Sequence, residues 1–508
     1  MRIAPLIAFL VLVTAATIQA QDRFTVMVYN VENLFDADGV AQYSDYQTDS
    51  IENPNRYTPR KLLTKIQNIA TTLKAVNNGR GPDIVLFQEF ERDFTPGEQP
   101  VDYKALLKPF ENTTVDAMLT GNVNPTVADL PVEALVLKYF EDNGLDGYHV
   151  AVSAPVDDIE NAKAHTNATF TRFPILSSNS YPTPNAREIL VTTVDVEGAE
   201  LVLINNHWKS GASRSSTEGS RVANAKDTRK VLEAILKENP TADIIIGGDL
   251  NTYYNSAEYF PVKKDWQRKD YAMKALGSQG DELAIRKEDG PDLYNLWFEL
   301  PPKDRKSEFY QGSWGTLMQM LITRGLYDGA GVRYVDGSFH ALIIPGVNVG
   351  GEWEAPREWY FLGEAGGGFS DHLPLVAEFE IVHESMPGTY SDLNEPSLAE
   401  LGPAWIPSVD LVKTSQKIYP DSSTLEDTSD KDIAENYGEL FEVKAEVVHF
   451  NPILVRIGKR NYEVYAYQPE VRQKLGQFLP GDKATFLGEL SEHSGKPQFL
   501  VHDESWVR

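Results

Sequence analysis

Residues 244–256 read IIIGGDLNTYYNS. Three successive isoleucines make a strand that buries both faces. Two glycines end it, and Asp249 and Asn251 follow at once. The same grammar, an apolar strand that stops in polar residues, recurs along the chain. Residues 26–36 (VMVYNVENLFD) present Asn30 and Glu32. Residues 83–91 (DIVLFQEFE) present Gln88, Glu89 and Glu91, and residues 201–211 (LVLINNHWKSG) present His207. Residues 366–379 (GGGFSDHLPLVAEF) present Asp371 and His372 just before a strand. One such strand end is simply the first residue in solvent. Five of them gather side chains on one rim of a layered sheet, where loops build sites.

Outward from these strands, further strand-like runs cover Ile189–Val194, Leu321–Thr323 and Leu375–Phe379. Leu62, Leu63, Ile66, Ile69, Ala70 and Leu73 repeat at helical spacing and predict a helix over 60–76. A second helix is expected from Ser220 to Lys237, stopping before Pro240. Mixed strands and helices over 23–382 predict a layered α/β sandwich. Residues 383–436 carry Pro387, Pro396, Pro403, Pro407 and Pro420 and the run STLEDTSDKDIAEN. They read as an acidic connector. Over 437–508, strand signals return in FEVKAEVVHF, ILVRI, YEVYAY, KATFLGEL and QFLVHD, with a helix over 470–478. Five strands and one helix predict a small all-β barrel of the oligonucleotide/oligosaccharide-binding (OB) type.

The 508 residues include 47 Lys+Arg, 74 Asp+Glu and no cysteine, a formal charge of −27. The missing thiols exclude disulfides, thiolate zinc sites, iron–sulfur clusters and cysteine nucleophiles. The acidity argues against a broad basic face for nucleic acid. It leaves room for a site that holds phosphate through a cation. Residues 1–20 have a basic start at Arg2, an apolar run from Ile3 to Val13, then Thr14, Ala15 and Ala16. They read as a signal peptide cut near Ala16 or Ala20, so a periplasmic or extracellular protein is expected.

Taken in order, N-V-x-N, Q-E, G-D-x-N and S-D-H-x-P resemble the endonuclease/exonuclease/phosphatase superfamily. Its members include deoxyribonuclease, abasic-site endonucleases, neutral sphingomyelinases and inositol polyphosphate 5-phosphatases. The surroundings, PREWYFLGEAGGGFSDHLPL at 356–375, look most like secreted bacterial members. The resemblance covers about 23–382 and implies a deoxyribonuclease-like four-layer α/β/β/α sandwich. It also implies a divalent cation, Mg²⁺ with Mn²⁺ or Ca²⁺ as alternatives, held by Asn30, Glu89 and Asp371. Such hard cations take oxygen donors. By the same resemblance His372 acts as general base or phosphate holder and Asp249 orients the attacking water. Asn251 donates to a phosphoryl oxygen, and His207 contacts the phosphate from the other side. Asn167, Arg187 and Glu32 fall at the rim or behind these residues. His165 and His340 read as ordinary core or surface histidines.

One position departs from the pattern. Superfamily members carry L-D-Q-I-L-V-S, whose Asp orients the catalytic His; here 314–323 reads WGTLMQMLIT, with Met318 at that place. The expectation is a slow enzyme, or another carboxylate that reaches His372, and a faster Met318→Asp variant. The leading functional expectation is a secreted metal-dependent phosphodiesterase, an endonuclease on DNA or RNA that serves nutrient scavenging. The alternatives are a phosphoesterase on small or lipid substrates, or a weakly active binding relic. In the barrel, VRIGKRNYEVYAYQ offers Arg456, Lys459, Arg460, Tyr462, Tyr465 and Tyr467 to a nucleic-acid strand.

Overall fold

The computed structural model describes residues 23–40, 57–92, 101–154, 164–259, 270–285, 290–351, 354–361, 363–382, 386–390, 420–434, 436–437, 440–466, 469–493, 496–501 and 506–508. The expected signal peptide and most of the expected connector lie outside them.

The principal elements follow the chain. They begin with β1 (Arg23–Leu34), α1 (Pro59–Lys74), β2 (Ile84–Glu91), α2 (Val132–Asp142), β3 (His149–Val152), β4 (His165–Thr171), β5 (Ile175–Tyr181), β6 (Ile189–Val196) and β7 (Ala199–His207). Next come α3 (Ser215–Glu238), β8 (Asp243–Asp249), α4 (Ala272–Leu276), β9 (Leu293–Asn295), β10 (Glu308–Tyr310), β11 (Ser313–Gly315), β12 (Met318–Thr323), β13 (Val332–Tyr334) and β14 (Leu375–Ile381). Among the described residues, one seven-stranded sheet runs β13-β14-β1-β2-β4-β3, with His340–Ala341 on β14. A six-stranded sheet runs β5-β6-β7-β8-β12-β9.

The two sheets face each other. Val26, Val28, Ile84 and Leu86 of the first bury against Leu201, Leu203, Ile245, Met320 and Ile322 of the second. Alternate residues point outward, as a period of two requires. Met27, Tyr29, Val85 and Phe87 meet Leu62, Ile66, Leu73 and Phe140 of α1 and α2. Val202, Ile204, Ile244 and Ile246 meet Ala225 and Leu232 of α3 and Leu276 of α4. The result is the four-layer α/β/β/α sandwich. Helix α1 spans Pro59–Lys74, because Thr58 caps it by accepting from Lys61 N–H and Pro59 opens the first turn. Helix α3 begins at Ser215, earlier than its apolar spacing predicts.

The glycines of β8 explain why that strand ends as it does. A Cβ on Gly247 would lie 2.8 Å from Val28 of the facing sheet. A Cβ on Gly248, at φ +141, would lie 1.9 Å from the Asn206 carbonyl oxygen. Only glycine lets the sheets and neighbouring strands come that close just below Asp249.

The C-terminal strands β15 (Leu440–Phe450), β16 (Ile453–Ile457), β17 (Arg460–Tyr465), β18 (Lys483–His493) and β19 (Lys496–Leu500) close a barrel in the order β15-β16-β17-β19-β18. Helix α5 (Pro469–Leu475) sits between β17 and β18, and β17 and β19 pair in parallel. This is the OB arrangement. Val443, Val455, Tyr462, Leu490 and Phe499 fill it. Leu425 and Ile433, in the stretch read as connector, are buried in the same core.

Candidate metal and active site

Both sheets carry a parallel pair at their centre: β1 with β2, and β7 with β8. Parallel neighbours end at the same rim, and sites form beyond carboxyl ends of such strands. Asn30 lies on β1, Glu89 on β2, and His207 and Asp249 end β7 and β8. The rim therefore receives side chains from both sheets. His372 lies in the loop that enters β14, which is antiparallel to β1 and so starts at the same end.

The cluster is tight. Asn30 Nδ2 donates to Glu89 Oε1 and to Asp249 Oδ2, each at 3.2 Å. His207 Nε2 lies 3.7 Å from Glu89 Oε1 and 3.5 Å from Asp249 Oδ2. His372 Nε2 lies 3.6 Å from the same Asp249 oxygen and 3.7 Å from Asp371 Oδ1. Asp249 Oδ1 accepts from Asn251 N–H at 2.9 Å. Glu89 and Asn251 both sit at positive φ, 65° and 50°. For residues with side chains this is a strained state, tolerated where surroundings enforce it. At Glu89 the cause is visible: the β2–β4 ladder shifts register between Phe87 and Phe90 and frees the residue from the pleat.

Charge is distributed unevenly. Burial raises Glu89, but His165, His207, Arg187 and the Asn30 amide pull it well below the usual carboxylate range. Burial pushes Asp249 up against the pull of His372. Burial, then Arg187, holds His207 far below its ordinary value, so it is neutral and free to donate a lone pair. Burial lowers His372, yet Asp371, Asp249, Glu308 and Glu89 outweigh it and lift the ring to about 9.

The donor set fits a divalent cation. Glu89, His207 and Asp249 offer ligand atoms all within 4.8 Å of one another, two carboxylates and one neutral imidazole. Of the three residues expected to hold the metal, Glu89 belongs to this group. Asn30 turns its amide nitrogen toward it, because Glu32 N–H claims Asn30 Oδ1 at 2.9 Å. Asp371 lies to the side, against His372. His207 and Asp249, expected to act on the phosphate and the water, take the nearer positions.

The outer residues fall behind the cluster. Glu32 Oε2 accepts from Trp359 N–H at 2.6 Å, and burial and Asp371 raise its carboxyl to about 8. Asn167 lies on β4, where it donates to the Glu188 and Asn205 carbonyls. Asn205 in turn donates to Phe87 and Ala168 carbonyls and accepts from Gln88. These buried amides tie the two sheets beneath the site. Arg187 Nη2 lies 2.9 Å from His165 Nδ1. His165 is thus no ordinary histidine; since guanidinium only donates, its Nδ1 accepts and aims Arg187 at the cluster. Its two-residue spacing from Asn167 on a strand was the available signal. Lys65 was also missed. Its Nζ, buried in α1, donates to the Phe369 carbonyl at 2.9 Å and lies 4.7 Å over Trp359.

The loop before His372 reaches the barrel. Arg357 pairs with Glu489 of β18, and Tyr360 Oη donates to the same carboxylate at 3.2 Å. Phe369 and Ser370 N–H both donate to the Arg357 carbonyl.

No curated protein matches the chain in sequence. Among solved structures, an endonuclease/exonuclease/phosphatase family protein from Leptotrichia buccalis is 12% identical. The match covers 70% of this chain and 100% of that one, with a TM-score of 0.39. A family protein from Bacteroides thetaiotaomicron is 14% identical over 71% and 98% of the two chains, TM-score 0.36. D. rerio TDP2, in complex with a single-strand DNA product, is 15% identical over 70% and 99%, TM-score 0.37. Residues 166–381, which carry His207, Asp249, Asn251 and His372, match the profile of the Endonuclease/Exonuclease/phosphatase family.

Proposed function

We propose that the chain is an exported, Mg²⁺-dependent phosphodiester hydrolase that cuts DNA or RNA internally. The observation that carries this reading is the meeting of Glu89, His207 and Asp249 at the rim shared by both sheets. A cation held by these residues would neutralise phosphoryl charge and acidify a water. The chain's own groups supply the rest. Asp249 orients the attacking water from the floor of the site. His372, cationic among its carboxylates, donates to a phosphoryl oxygen from Nε2. Asn251 donates to a second oxygen, and Arg187 adds fixed positive charge behind Glu89. His207, neutral, offers its Nε2 lone pair to that cation.

The barrel favours a polymeric substrate. Arg456, Lys459 and Tyr465 are exposed on or between β16 and β17, the strands by which OB barrels hold oligonucleotides. Tyr462 is removed from the expected contact set, since it fills the barrel core; Tyr467 lies outside the described residues. Among the described residues no helix is long and apolar enough to cross a membrane.

One assay panel tests the reading. Plasmid DNA, RNA, bis-p-nitrophenyl phosphate and sphingomyelin are offered with Mg²⁺ and with EDTA. Plasmid nicking that EDTA abolishes is expected. Turnover of sphingomyelin alone would move the protein to the lipid class, and silence on all four would make it a binding relic.

A further inference from the structure

Glu308 stands beside the cluster but has no part in the chemistry above. It begins β10, which turns through Gln311 and Gly312, both at positive φ, onto β11. That is a rigid two-residue hairpin. The base of the hairpin is stitched to the catalytic loop. Glu308 and His372 form an antiparallel bridge, and Leu373 N–H donates to the Ser307 carbonyl at 2.6 Å. Directly opposed residues on antiparallel strands project to the same face, their Cβ atoms about 4.5–5.5 Å apart. Both side chains therefore leave the backbone on the same face of the bridge.

The carboxylate is built in. Glu308 is 7% exposed. Ser307 Oγ and Leu317 N–H both donate to its Oε2. A Cβ on Gly315 would fall 1.7 Å from its Oε1, so the paired strand reserves this space. Burying a carboxylate costs several kcal/mol unless charged or donor groups compensate. Here the compensating charge is His372, whose Nδ1 is itself buried and without a hydrogen-bond partner among the described residues. Asp249 and Asp371 approach the opposite ring nitrogen, Nε2. An imidazole that moves or holds a proton needs another group to fix its orientation and tautomer. Met318 cannot do so, being a thioether buried between the sheets.

We propose that Glu308 is the positioning carboxylate of His372, delivered by the β10–β11 hairpin. The proposal rests on the hydrolytic reading of the cluster. Its test uses the full chain carrying Glu308→Gln, which keeps the volume and an acceptor for Ser307 and Leu317, and Glu308→Asp. Hydrolysis of bis-p-nitrophenyl phosphate with Mg²⁺ is measured beside the ¹⁵N signals of the His372 ring, assigned with His372→Asn. In Glu308→Gln, kcat should fall by about 100-fold or more with KM within about threefold. The melting point should stay near wild type, and the ring signals should move. Glu308→Asp should recover at least about tenfold of the loss. Unchanged kcat together with unmoved ring signals in an active protein would overturn the proposal. If the wild type hydrolyses nothing while the ring signals still move in Glu308→Gln, the hydrolytic reading falls and the positioning role stands.

Discussion

His207 and Asp249 are register partners on the parallel strands β7 and β8, and their side chains meet at 3.5 Å between Nε2 and Oδ2. Backbone pairing, not loop conformation, sets this distance. The pair is thus available to a cation without rearrangement. Glu89→Gln and Asp249→Asn should each reduce phosphodiester hydrolysis by about 10³-fold or more. They should also abolish metal-induced stabilisation. Saturating Mg²⁺ at 100 times its dissociation constant adds about 2.7 kcal/mol to the wild type. Thermal melts with Mg²⁺ and with EDTA read this directly; a variant that keeps the full shift would remove its residue from the metal site.

Stability without metal should fall as pH rises. Burial, reinforced by Asp328, lifts the Asp243 carboxyl from 3.8 to about 8. The folded state then keeps a proton that the unfolded chain has released, so stability declines between about pH 4 and pH 8. Asp243 alone contributes a slope of at most about 1.4 kcal/mol per pH unit. Glu32 and Glu308, raised by burial to about 8 and 7, push the same way. Melts in EDTA should be higher at pH 5.5 than at pH 8. Asp243→Asn should flatten that slope and raise the pH 8 melting point, and an unaltered slope would refute the assignment.

Met318→Asp should not accelerate the enzyme, contrary to the expectation from sequence. Met318 is fully buried opposite Asp249 in the β8–β12 ladder. An aspartate there loses apolar packing and places a second buried acid beside the first, at about 3–5 kcal/mol. The expected variant melts well below wild type and shows equal or lower kcat.

Arg357 and Glu489 should be coupled across the barrel contact. Both are largely buried, and removing either breaks a buried ion pair. Each alanine variant should lose about 3–5 kcal/mol, with the double variant costing less than the sum. Because Arg357 also anchors the loop that ends at His372, kcat should drop in Glu489→Ala although that residue lies outside the sandwich. Chemical denaturation and steady-state kinetics on the four proteins check both statements.

Much of this was legible beforehand. Strands such as 244–249 announce themselves because unbroken β-branched runs bury both faces, and α1 because its apolar residues keep one spacing. The polar residues that end those strands named the rim. What escaped notice has physical reasons. Strand β4 hides in HTNATFT because one of its two buried faces is polar: Asn167 there serves the layer that ties the sheets. Helix α2 was unread because VEALVLKYFED is apolar on nearly every side. Lys65 is indistinguishable in sequence from any helix-surface lysine. Glu308 belongs to a three-residue strand, too short for periodicity. Its meaning appears only once β10 is laid against the His372 loop. Asn30 lies beside Glu89 and Asp249, and which of its amide atoms faces them depends on the Glu32 N–H that captures its oxygen.

Asn30 and Asp249 are joined by a hydrogen bond although 219 residues separate them. That contact gives the site a timing. Loop-closure entropy makes pairings of such separation late events, gained after local hairpins and helices. No N-terminal fragment that ends before Asp249 contains the whole cluster, and a collapsed intermediate with unmated sheets holds Glu89 and His207 apart. The cluster of Glu89, His207 and Asp249 is therefore complete only once the two sheets have mated, late in assembly.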